Sequence, residues 1–295
     1  MSRTVKSQPP KLFDSEPPSE ILVPIATGLP DQRDLVIAVE YGNLWQVPIR
    51  LVHVETSSEP TDETSVRSAI VTARSVYPDL EIDGVGVSAP TVAEGVTTFA
   101  GDRSLLFLAS DRSSQWLEQG SVGEEILQAS NGLVMLCGPH CRSPAIGSSV
   151  VVPLDGSARA EAALTPALAF ARSTGAKLWI VTVVSSVIAG AVADLRAQGE
   201  AVTESGYLRA LAETLVAEDL DIGWEVIHND DPVAGVIGFL NNHGSAAVVA
   251  ATHGDTGIAK RLFGSVCLGL VEQGSVPVVV VKTDLADPIP LLAET

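Results

Sequence analysis

The sequence predicts an α/β fold built as two tandem, doubly wound parallel sheets of five strands each. Three observations carry this prediction. Short β-branched runs alternate with stretches of helical period, the runs are apolar on both faces, and the whole pattern occurs twice. A chain of 295 residues is long enough for about two domains of roughly 150 residues, each with its own core. Strands buried on both faces and separated by helices require right-handed crossover connections.

Residues 1–18, with Pro9-Pro10 and Pro17-Pro18, read as a disordered polar tail. In the first copy, strands are expected at 21–25, 48–54, 81–87, 104–109 and 133–137. In the second they are expected at 148–153, 177–184, 222–228, 246–251 and 276–281. Between them, Val66, Ala69, Ile70, Ala73, Val76 and Tyr77 keep one apolar helix face. Leu208, Leu211, Ala212, Leu215 and Val216 form a second such face, and Val233, Val236, Ile237 and Leu240 a third. Pro166 falls inside the helix expected over 157–174 and should kink or shorten it.

The repeat fixes the correspondence between copies. Ile21-Leu22-Val23-Pro24 matches Val150-Val151-Val152-Pro153 at an offset of 129, whereas Gly120-Ser121-Val122 matches Gly264-Ser265-Val266 at 144. This gives domains over 19–138 and 148–283, a linker over 139–147 and a C-terminal tail over 284–295.

The charge is acidic throughout. Thirty-six acids oppose eighteen bases, for a net charge of -18. A nucleic-acid contact needs clustered cations to displace counterions, so nucleic acid is excluded as a partner. The apolar runs are too short to span a bilayer, so no membrane contact is expected. Three cysteines form no disulfide framework and the N-terminus has no apolar leader, which points to the cytoplasm.

The strongest motif lies in the second copy. Asp155-Gly156-Ser157 follows the first strand, and Ala251-Thr252-His253-Gly254 follows the fourth, with Gly264-Ser265 nine residues after Gly254. Glycine at 254 lets backbone approach a phosphate without a Cβ between them. Gly264-Ser265 opens a helix whose free N–H groups, with the Ser265 hydroxyl, favour an anion. Lys260 and Arg261 add positive charge to the intervening loop. Alone, Gly264-Ser265 is also compatible with a plain loop end and N-cap.

This pattern resembles the universal stress protein superfamily, whose nucleotide-binding members carry Gly-x2-Gly-x9-Gly-Ser/Thr after strand four and an Asp after strand one. The resemblance covers about residues 19–283 as a tandem of two domains. It implies the strand order 3-2-1-4-5, binding of ATP or ADP, with Mg as an accompanying ion, and a regulatory role in a stress response. It also implies that Asp155 and the backbone around Pro153 contact the nucleoside, that Val183 reads the adenine, and that Gly254, Gly264, Ser265 and Val266 hold phosphates. Ala251 departs from the pattern, standing where the first glycine is usual. Members of the family pair edge strands antiparallel on dimerising. The two fifth strands are therefore expected to pair within this chain as a pseudo-dimer, and a homodimer of whole chains is compatible with that arrangement.

The first copy has lost most of these parts. Ala26 replaces the aspartate, Asp111-Arg112 replaces His-Gly, and the following loop is two residues shorter. Ser121-x-x-Glu124 reads as a capping box that sets a carboxylate where a phosphate would sit, whereas Leu268 holds that place in the second copy. The first domain is thus expected to be a structural or regulatory partner with its site disabled. Two other readings stand beside nucleotide binding: a nucleotide-free interaction module, which Ala251 favours, and a slow ATP hydrolase, for which Asp155 and His253 are the only groups near the expected phosphates. Gly84-Val85-Gly86-Val87-Ser88-Ala89 matches a dinucleotide fingerprint by letter but falls in and after the third strand. Cys137, His140 and Cys141 are expected to belong to the linker region rather than to a metal site.

Overall fold

The computed structural model describes residues 17–25, 32–56, 63–101, 103–110, 117, 120–130, 132–143, 147–185, 204–215, 220–252 and 259–282. The β-branched runs of the first half form β1 (Glu20–Ile25), β2 (Ile49–Glu55), β3 (Ile82–Ser88), β4 (Ser104–Ala109) and β5 (Val134–Cys137). Those of the second form β6 (Ser149–Pro153), β7 (Lys177–Val184), β8 (Ile222–His228), β9 (Ala247–Thr252) and β10 (Val278–Lys282). Central strands such as β4, β6 and β9 are buried along most of their length, which is why their sequences are continuous apolar runs instead of alternating ones. β10 starts later than the run predicts because Pro277 has no N–H for the ladder. Its carbonyl instead accepts from the Val248 N–H at 3.0 Å.

Helices cover both faces: α1 (Gln32–Trp45), α2 (Glu63–Val76), α3 (Val92–Phe99) and α4 (Val122–Ala129) in the first half. In the second they are α5 (Ala158–Glu161), α6 (Leu164–Thr174), α7 (Glu204–Leu215), α8 (Pro232–His243) and α9 (Ala259–Gln273). The helix expected over 157–174 is split, with a turn at Ala162 and Ala163 between α5 and α6. Pro166 then falls in the first turn of α6, where its missing N–H has no intrahelical partner to lose. Ala73 is buried and Ile70 half-buried on α2, and Leu208, Leu211, Ala212 and Leu215 are buried on α7, as the helical period requires. The side chains of Val66, Ala69 and Val76, and residue Val216, lie outside the described residues.

The strands form one ten-stranded sheet in the order β3-β2-β1-β4-β5-β10-β9-β6-β7-β8. Each half reads 3-2-1-4-5 from its outer edge, and all pairings within a half are parallel. The halves meet where β5 and β10 run antiparallel, with Val278 opposite Leu136, Val279 opposite Met135 and Val280 opposite Val134. Both strands are buried, so neither exposes an apolar edge.

Side chains reinforce this junction on both faces. On one, Tyr41 and Trp45 of α1 pack on Phe170 of α6, with ring centroids 5.8 and 5.5 Å apart. The Tyr41 hydroxyl donates to the Ala246 carbonyl at 3.0 Å, and Trp45 Nε1 donates to Ser173 Oγ at 3.2 Å. On the other face, Ile126 and Leu127 of α4 share a cluster with Leu270 and Val271 of α9. Lys282 Nζ donates to the Gln128 carbonyl at 2.8 Å and to that of Ser130, meeting the negative end of α4 with a cation. Gly138 lies so close to α9 that an added Cβ would overlap the Val271 carbonyl.

Candidate functional site

In the second half, β6 is flanked by β7 on one side and β9 on the other. The chain winds away in opposite directions from this point, and the carboxyl ends of such strands diverge into a crevice. β6 ends at Pro153 and the chain turns through Asp155, Gly156 and Ser157 into α5. The Ser157 hydroxyl caps α5 by accepting from the Ala160 N–H at 3.2 Å. Its own N–H and O–H both donate to Asp155 Oδ1, at 3.0 and 2.6 Å, leaving Oδ2 outside these two bonds. Partial burial pushes the Asp155 carboxyl up, but the Ser157 bonds and the Arg159 charge outweigh it and hold the group below the usual carboxylate range. The carboxylate is therefore ionised at neutral pH.

The turn is tied to β7 as well. The Leu154 N–H donates to the Val181 carbonyl at 2.8 Å, and Thr182 Oγ1 donates to the Leu154 carbonyl at 2.7 Å. Behind it, the Tyr207 hydroxyl of α7 donates to Glu161 at 2.5 Å; burial and that carboxylate push the phenol well above its ordinary range.

A cavity of about 310 Å³ opens here, within the size range of small-molecule pockets. It is lined by Pro153 at the end of β6, by Asp155 just after it and by Val183 near the end of β7. Ala251 of β9 and Gly264, Ser265 and Val266 of α9 line it as well. Seven of the eight residues that the sequence assigns to a nucleotide site thus line one cavity; the eighth, Gly254, lies outside the described residues, as does His253. The side chains of Lys260 and Arg261 are likewise outside them. α9 is interrupted at Gly264, whose φ of 65° and ψ of 155° suit only glycine, so the helix effectively restarts at Ser265. Pro232 and Val236 of α8 add an apolar side, while Arg159 and Ala160 add the α5 side. Sequence reasoning missed Arg159. The signal was its position in the first turn after Asp155-Gly156-Ser157, but the path of that turn was not readable. Cys267 also lines the cavity, and burial pushes its thiol up to about 12, which leaves it a poor nucleophile.

The counterpart turn in the first half has the same backbone device, with Gly120 at φ 78°. Ser121 accepts from the Glu124 N–H at 3.2 Å, as a capping box requires. The reciprocal bond differs from that expectation: the Glu124 carboxylate accepts from Gly120, one residue earlier, at 2.5 Å. The left-handed glycine turns its N–H toward the helix start. Glu124 is 2% exposed, and Gln128 Nε2 donates to its other oxygen at 3.0 Å. Ala26, Asp111 and Arg112 lie outside the described residues. Gly84 and Gly86 fall inside β3, as the repeat requires. Among the described residues no group of three or more His, Cys, Asp or Glu side chains could hold a metal ion, and no helix is long and apolar enough to cross a membrane.

Comparison with known proteins bears on this arrangement. No curated protein matches the chain in sequence. A universal stress protein of Archaeoglobus fulgidus is similar in fold over 92% of this chain and 97% of its own, with 17% identity and a TM-score of 0.64. A functionally unknown protein of Pseudomonas aeruginosa is similar over 91% of this chain and 94% of its own, at 13% identity and a TM-score of 0.58. The cytoplasmic domain of a prokaryotic cation chloride cotransporter shares the fold over 93% of this chain and 100% of its own, at 14% identity and a TM-score of 0.50. Such likenesses show architecture and leave the ligand open. The family model of the universal stress protein family matches residues 148–282, the segment that holds the described cavity, so the second half is similar in sequence to that family.

Proposed function

We propose that the second half binds an adenine nucleotide, ATP or ADP, with any Mg ion carried on its phosphates, and that the protein regulates a stress response through this binding. The supporting observation is the convergence of Pro153, Asp155, Val183, Ala251, Gly264, Ser265 and Val266 on one cavity at the switch point of the sheet. Apolar surface from Val183 and Val236 suits a base, the ionised Asp155 suits ribose hydroxyls, and the restarted helix at Ser265 suits phosphate. Calorimetry on the full chain is expected to give about one adenine nucleotide per chain, and Gly254→Glu is expected to abolish it in a folded protein. Two equal sites, or undiminished affinity in the variant, would overturn the reading. Absence of any bound or bindable nucleotide would select the interaction-module alternative, which the methyl of Ala251 in the cavity wall favours.

In the same proposal the halves act as an intrachain pseudo-dimer joined through β5 and β10. Val278, Val279, Val280 and Val281 are each at most 4% exposed, and cutting the chain would bare them. A fragment of residues 142–295 is therefore expected to self-associate or precipitate. A stable monomeric fragment in sedimentation would count against the proposal.

A further inference from the structure

Asp155 and Arg159 are the two charged residues lining the described cavity. Neither its size nor its apolar side distinguishes adenosine from a nucleotide, so the position of Arg159 is informative. α5, which carries it, lies against β9, the strand leading toward the Gly264 turn. Toward β7 and β8 the lining is apolar: Val183 belongs to β7, and α8, which carries Pro232 and Val236, lies against β7 and β8. There the start of α8 is already satisfied by a carboxylate of its own, because Asp231 Oδ1 accepts from the Val233 and Ala234 N–H groups at 2.9 and 3.3 Å. An anionic end placed on that side would face apolar surface and a helix terminus already holding a carboxylate. Placed toward β9, against which both α5 and α9 pack, it is offered the guanidinium of Arg159 and the turn from Gly264 to Val266.

We infer that Arg159 is a specificity-determining residue that selects ligands by phosphate charge, favouring di- and triphosphates over the bare nucleoside. The inference rests on the proposed nucleotide site and goes beyond it in assigning the discrimination to one side chain. Two properties of guanidinium support the role. It stays charged at any physiological pH, and its planar fork matches phosphate oxygens bidentately. The arginine is exposed at the rim, so it can meet the phosphates without being buried unpaired in the free protein. Its charge lowers the Asp155 carboxyl, and a polyphosphate offers it a stronger partner than a single carboxylate.

The experiment compares full-length protein with Arg159→Ala and Arg159→Lys, titrated with ATP, ADP and adenosine by calorimetry at fixed ionic strength. Arg159→Ala is expected to weaken ATP at least tenfold while leaving adenosine within twofold, and Arg159→Lys to recover part of the ATP affinity. The melting temperature of the free protein is expected to stay unchanged, because the side chain is exposed. Equal losses for ATP and adenosine, or an unchanged ATP affinity, would overturn the inference while leaving the nucleotide site standing. If the unaltered protein binds none of the three, the inference and the proposed function fall together.

Discussion

The turn at Gly120 and the turn at Gly264 are the same device used in opposite ways. Both place a glycine at positive φ, follow it with serine and start a helix. At Gly264 the turn borders a cavity. At Gly120 the N–H is taken by the Glu124 carboxylate, which is buried and held by Gln128 as well. Three residues after the serine stands Leu268 in one half and Glu124 in the other. The helix start that borders the cavity has a leucine at this place, and the one that does not is met by its own carboxylate. The first half keeps the glycine turn and supplies a carboxylate to it, so the repeat preserves the backbone geometry while changing what meets it.

The sharpest way to break this comparison is to impose the first half's solution on the second. Leu268→Glu is expected to bring a carboxylate to the Gly264 turn and cost nucleotide affinity at least a hundredfold, or about 2.7 kcal/mol, in a protein that still melts cooperatively. Retained ATP affinity in calorimetry would show that the two turns are not equivalent. Next in size is Glu124→Ala, which leaves the Gly120 N–H without its carboxylate. Losing that bond in a buried place should destabilise the chain by about 2 kcal/mol, read from urea unfolding. A change below roughly 0.5 kcal/mol, the size of an ordinary surface substitution, would mean that the carboxylate is not what holds the turn.

The smallest effect concerns Asp155, the acid that the second half keeps open at its cavity. Its folded carboxyl lies below the usual range, so its contribution to stability is present above the unfolded value of about 4 and is lost as pH falls through the lower folded one. Asp155→Asn should therefore be less stable than the parent protein at pH 7 and close to it at low pH, once the parent's aspartate is protonated. Solvent screening at this exposed position keeps the difference to roughly 0.5 kcal/mol. A gap that widens toward acid would reverse the sign and overturn the assignment.

The strands were legible because central parallel strands are buried on both faces and must be written in Val, Ile, Leu and Ala. Pro166 announced the break between α5 and α6 by its chemistry alone. Pro277, by the same logic, moves the start of β10 from 276 to Val278. Asp155, Val183 and Gly264 were legible as a set through the resemblance, since nothing local links strand ends about thirty and eighty residues apart. Arg159 was hidden because its role depends on α5 lying against β9, a tertiary fact. The packing of Tyr41 and Trp45 on Phe170 was hidden for a related reason: it requires knowing which helices flank the junction of the halves.

Residues 138 and 282 occupy the same place in the repeat, at the offset of 144 that relates Gly120 to Gly264. One is a glycine pressed against the Val271 carbonyl, and the other is a lysine reaching the Gln128 and Ser130 carbonyls. In an assembly of two identical chains about a twofold axis, both places would hold the same amino acid, and any change would be made twice. Covalent linkage removes that constraint. Each end of the junction can change by itself, one toward close backbone approach and the other toward a charged cap, and a lysine would not fit where Gly138 meets the Val271 carbonyl.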